Sequence, residues 1–78
     1  MERILSNREV EVLKLIALEY TTKEIASQLF VSTETVRSHR KKLFFKMDVR
    51  NVAGLIRRGF EEGFLMFYVA RENQYKAV

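Results

Sequence analysis

The chain has 78 residues, 47% of them hydrophobic and 31% charged, with three glycines, no proline and no cysteine. That length holds one domain, and the scarcity of breakers argues against disorder and against a turn-rich all-β fold. Without cysteine there are no disulfides and no thiolate metal sites, and a formal charge of +4 favours an acidic partner.

The opening Met1-Glu2-Arg3-Ile4-Leu5 lacks the apolar core of a signal peptide. The longest apolar run, Phe64 to Ala70, falls far short of the roughly 20 residues a membrane span requires. The expected location is the cytoplasm, with no membrane association. In chain order, Ser6-Asn7-Arg8-Glu9 has the spacing of a capping box, and Leu5 and Val10 occupy the two positions of a hydrophobic staple. Val10, Leu13, Ile16 and Ala17 then recur at helical spacing, which predicts a first helix from about Asn7 to Glu19. Thr21-Thr22-Lys23-Glu24 repeats the capping-box pattern ahead of Ile25, Ala26 and Leu29. A second helix is expected over Thr22 to Leu29.

Phe30-Val31-Ser32 breaks that pattern, and Ser32 is placed to cap a third helix from Thr33 to Met47. On a wheel of about 100° per residue, Leu43 and Met47 fall within about 20° of Val36, while Glu34, Arg37, Ser38 and Lys41 take the opposite arc. Asn51 can cap a fourth helix carrying Val52, Leu55, Ile56, Gly59 and Phe60 at apolar spacing. Gly63 is its expected stop. Residues 1–65 are thus read as the domain and 66–78 as a tail. The apolar start of that tail leaves three roles open: folding back on the domain, extending a dimer interface, or binding a partner.

Charge is unevenly distributed. Between Ser32 and Arg58 stand Arg37, Arg40, Lys41, Lys42, Lys46, Arg50, Arg57 and Arg58 against only Glu34 and Asp48, while the remainder has a small acidic excess. Such a concentration is the footprint expected of a nucleic-acid binder; a plain solvated helix face is the alternative. Two short helices joined by a three-residue turn, the second one basic, have the layout of a helix-turn-helix. The crossing of such helices needs a small residue on the first, Ala26, and an apolar lock on the second, Val36. These turns often place glycine four residues after the small one, where this chain has Phe30. Either the turn avoids positive φ, or packing of Phe30 offsets a strain of roughly 1–3 kcal/mol.

Glu9 to Ala17 (EVEVLKLIA), Lys23-Glu24-Ile25-Ala26, Ser32, Thr35-Val36, His39, Leu43 and Lys46-Met47-Asp48-Val49 together resemble the LuxR-type (GerE-like) helix-turn-helix domain. The resemblance covers about Leu5 to Leu65. It implies an all-α, four-helix domain of a bacterial transcriptional regulator that reads double-stranded DNA with the third helix in the major groove and dimerises through the fourth. Carried over by position, it puts base reading on Arg37, Ser38 and Lys41. Phosphate contact falls on Thr22, Lys23, Thr35, Lys42 and Lys46. Arg40 stands where the family usually has an apolar residue, and its stem can pack while its head reaches a phosphate. Val52 stands where the family usually has arginine near the start of the fourth helix. The homodimer contact falls on Val52, Leu55, Ile56, Gly59 and Phe60, with Gly59 permitting close approach of a mate.

No cofactor, metal or catalytic role is expected: His39 is the sole histidine, and there is no nucleophile–base pair, carboxylate dyad or glycine-rich phosphate loop. His39 is expected at the core edge or donating to a neighbour, Phe44 in the core, and Phe45 on the exposed arc. Two other readings stay open. One is an interaction protein that hetero-dimerises with a larger regulator. The other is a sigma-factor-like promoter reader with RNA polymerase as partner.

Overall fold

A computed structural model describes residues 4–66. They form four helices, α1 (Asn7–Ala17), α2 (Thr22–Leu29), α3 (Thr33–Met47) and α4 (Val52–Glu61), with no strand among the described residues. The all-α, four-helix expectation therefore holds. The expected tail lies outside the described residues except for Met66, which is exposed.

Each helix begins where a side chain can satisfy amides that the helix itself leaves free. Ser6 and Thr21 both close complete capping boxes with Glu9 and Glu24. Ser32 Oγ accepts from the Thr35 amide at 3.1 Å and Asn51 Oδ1 from the Gly54 amide at 2.9 Å. All four starts match the sequence reading.

The helix ends follow a different rule. In each, the chain turns through one residue at positive φ: Glu19 (73°), Phe30 (59°), Asp48 (56°) and Gly63 (84°). The amide after it reaches back over the last turn, as in Tyr20 N–H to Leu15 O, Val31 N–H to Ala26 O, Val49 N–H to Phe44 O and Phe64 N–H to Gly59 O. This is the Schellman closure, and only Gly63 is the residue type that normally marks it, having no Cβ to strain. It also explains why α1 ends at Ala17, two residues before the expected Glu19: that residue has already left helical geometry.

The core is one cluster of Leu5, Val10, Val12, Leu13, Ile16, Ile25, Ala26, Val36, Leu43, Met47, Leu55 and Leu65. The central helix is α3, which packs on α1, α2 and α4. Val36 and Ala26 are both buried, as a small-on-apolar lock between α2 and α3 requires. The burial of Val36, with Leu43 and Met47, fixes which face of α3 turns inward and hence which face turns out. None of the described helices is long and apolar enough to cross a membrane.

Candidate nucleic-acid interface

With Val36, Leu43 and Met47 buried, α3 turns Glu34, Arg37, Ser38 and Lys41 to solvent. These four line one shallow surface recess. Arg37 Nη1 lies 3.3 Å from Glu34 Oε2, both side chains largely exposed. A pair of that kind contributes little to stability, so the guanidinium is held in place and remains available to a stronger acceptor. The structure thus gathers the three base-reading candidates on one face and adds Glu34 as a partner for Arg37.

The phosphate candidates divide into groups. Lys23 and Lys42 are exposed, and Thr22 is half-buried in the first turn of α2. Thr35 is half-buried, its hydroxyl 3.0 Å from that of Ser32. Arg40 lies beside the buried stripe, its guanidinium carbon 5.9 Å from the Phe44 ring centroid, a distance at which a cation is attracted to the ring face. Arg57 pairs with Glu61 within α4 at 3.8 Å, and Arg58 with Glu62 at its C-cap at 3.2 Å. Among the described residues, Lys41 and Lys42 of α3 remain exposed without an ion pair.

Lys46 is engaged inside the protein. Its Nζ sits 2.9 Å from Glu9 Oε1, and the same oxygen accepts from the Ser6 amide at 3.0 Å. Glu9 is only 4% exposed. Burial pushes its carboxyl pKa up, but the Ser6 amide, the hydrogen bond and charge of Lys46, and the charge of Lys42 together outweigh that, and the group ends below its ordinary value of 4.5. Sequence reasoning assigned Glu9 a capping role alone. The signal for more was present: on the α1 wheel it lies within about 20° of Ile16 and 40° of Leu13, in the middle of the apolar stripe. A carboxylate there needs a cation.

His39 is half-buried, with its Nδ1 buried and lacking a hydrogen-bond partner. Phe44 packs partly buried against the core, and Phe45 is 85% exposed.

The fourth helix corrects part of the expected dimer surface. Leu55 and Gly59 face the chain's own core. A Cβ on Gly59 would stand 2.6 Å from Leu65 Cδ1 and 3.4 Å from Leu13 Cδ2, so this glycine admits Leu65 of the same chain. What α4 turns outward is Val52 and Phe60, exposed, with half-buried Ile56 between them at four-residue spacing.

A two-helix unit locked small-on-apolar, whose second helix bears an exposed basic row, defines a helix-turn-helix domain. The chain belongs to the luxR family of bacterial regulatory proteins, whose GerE model matches residues 3–58. The oxygen regulatory protein NreC of Staphylococcus carnosus (strain TM300) is 42% identical over 65 residues, and that of Staphylococcus haemolyticus (strain JCSC1435) is 40% identical over 65. Both alignments cover 83% of this chain and 30% of the relative, so the chain spans about 30% of the length of those relatives. Among solved structures, the transcription factor GerE superposes with a TM-score of 0.78 at 32% identity, covering 83% of this chain and 97% of that one. The response regulator ChrA of a heme-sensing two-component system gives 0.76 at 26% identity, covering 83% and 32%.

Proposed function

We propose that this chain binds double-stranded DNA sequence-specifically, as the DNA-reading part of a bacterial transcriptional regulator acting in the cytoplasm without catalysis of its own. The observation that carries this reading is the exposed row Arg37, Ser38 and Lys41 on a helix held by three others, in a chain of the luxR family. Arg37 and Lys41 have the reach and the donors for guanine O6 and N7 in the major groove, and Ser38 is small enough to let the helix approach. Lys23, Lys42, Arg40 and the hydroxyls of Thr22 and Thr35 bind phosphates and set the register. Lys46, neutralised by its pair with Glu9, contributes less to phosphate binding than exposed Lys42. The protein acts as a homodimer through Val52, Ile56 and Phe60, on two half-sites related by two-fold symmetry.

The test is selection of bound duplexes from a randomised library at two salt concentrations. A two-fold motif that persists at the higher salt is the expected result. Unselective binding that vanishes with salt would leave only the phosphate interaction and overturn sequence-specific reading. Absence of binding at both salts would turn attention to the interaction-protein alternative, through the outer face of α4. Family membership favours the regulator over the sigma-factor-like alternative.

A further inference from the structure

The exposed arc of α3 continues past Lys41. On the helical wheel Phe45 falls about 20° from Ser38 and 40° from Lys41, roughly 6 Å further along the axis. It is 85% exposed. Together with Lys41, Lys42 and Lys46 it lines a surface recess of about 350 Å³, and Lys41 also borders the neighbouring recess formed with Glu34, Arg37 and Ser38. The outer face of α3 is thus one strip, with hydrogen-bonding groups at its start and, at its end, an aromatic ring set among three cations.

We propose that Phe45 is a specificity-determining residue that reads the 5-methyl group of a thymine at the edge of the DNA site. The inference rests on the DNA-binding reading above. In the major groove only thymine presents an apolar group, and phenylalanine is a side chain that meets it. That methyl projects from the base edge towards the groove wall on its own strand, so it can be reached by a side chain shorter than arginine or lysine. The last turn of a helix lying across the groove approaches such a wall, and exposed Lys42 brings positive charge to the phosphates there. Stacking on a base is not required, and a paired duplex would not permit it.

The experiment uses the sequence selected from the library. Each thymine in turn is replaced by deoxyuridine, which removes the methyl and keeps every hydrogen bond. The duplexes are titrated with the wild-type chain and with Phe45→Ala. Losing contact with one buried methyl weakens binding by about fourfold, so one deoxyuridine position per half-site is expected to weaken the wild type by that factor. The same position should leave Phe45→Ala unaffected. Because the ring is exposed, the thermal midpoint of the variant is expected to match the wild type, which separates lost reading from lost fold. Unchanged deoxyuridine discrimination in Phe45→Ala would overturn the proposal. So would a uniform loss of affinity on every duplex, which marks contact with the sugar–phosphate backbone. A library that yields no selected sequence would sink the DNA-binding reading itself, a distinct result.

Discussion

Phe30 closes α2 at a φ of 59° with its side chain 93% exposed. Neither outcome expected from the sequence occurs: the turn does adopt positive φ, and no packing offsets the strain. A non-glycine side chain in the left-handed region costs roughly 1–2 kcal/mol. Phe30→Gly removes that cost without losing core contacts, less the greater chain entropy of glycine when unfolded. The expected gain is about 1 kcal/mol, seen as a rise of about 4–8 °C in thermal midpoint for a domain of this size. An unchanged or lowered midpoint would show that the exposed ring makes a stabilising contact. Glu9 gives a second test at this scale. Its folded pKa is lowered, so the stability it contributes is complete above the ordinary value of 4.5. That stability is lost as pH falls through the lower folded value. The difference in thermal midpoint between wild type and Glu9→Gln, which can keep the bond to the Ser6 amide, should shrink on acidification through that range. A constant difference would count against the Lys46 pair as its source.

At the scale of helices, the four starts, the ends of α2 and α3 and the stop at Gly63 were legible in the sequence, while the end of α1 and the way the ends close were not. Ser6, Thr21, Ser32 and Asn51 cap through side chains, so their chemistry is written in residue type. The ends close through backbone bonds across a residue at positive φ, and Glu19, Phe30 and Asp48 carry no marker for it. The two faces of α4 show a similar contrast. Val52, Leu55, Ile56, Gly59 and Phe60 share an apolar period, but the one that needs an inward glycine depends on Leu65, which lies beyond the helix. Gly59→Ala should therefore destabilise despite better helix propensity: overpacking costs about 1–3 kcal/mol against about 1 kcal/mol gained. Leu65→Ala should be less costly in the Gly59→Ala background than alone, because the two side chains compete for one space. Simple additivity in a double-mutant cycle would contradict that geometry.

For the whole molecule, the outward placement of Arg37, Ser38 and Lys41 was legible because the buried stripe of α3, Val36, Leu43 and Met47, fixes its outer face. The role of Lys46 was not, because its partner Glu9 lies 37 residues away. Assembly is where the outward residues of α4 are tested. Phe60 is 44% exposed, so Phe60→Asp should leave the thermal midpoint of the isolated domain nearly unchanged. In sedimentation it should shift the protein towards monomer, and it should weaken binding to paired half-sites more than to a single one. A dimer that survives the substitution would place the contact elsewhere.

The Glu9–Lys46 bridge also sets how the molecule loosens. It joins the first turn of α1 to the last turn of α3, two places that fraying would otherwise open independently. Native-state hydrogen exchange should find the amides of Val10 and Leu13 opening in one cooperative step with those of Phe45 and Met47. Glu9→Gln should split that step in two, so that the end of α3 exchanges ahead of α1.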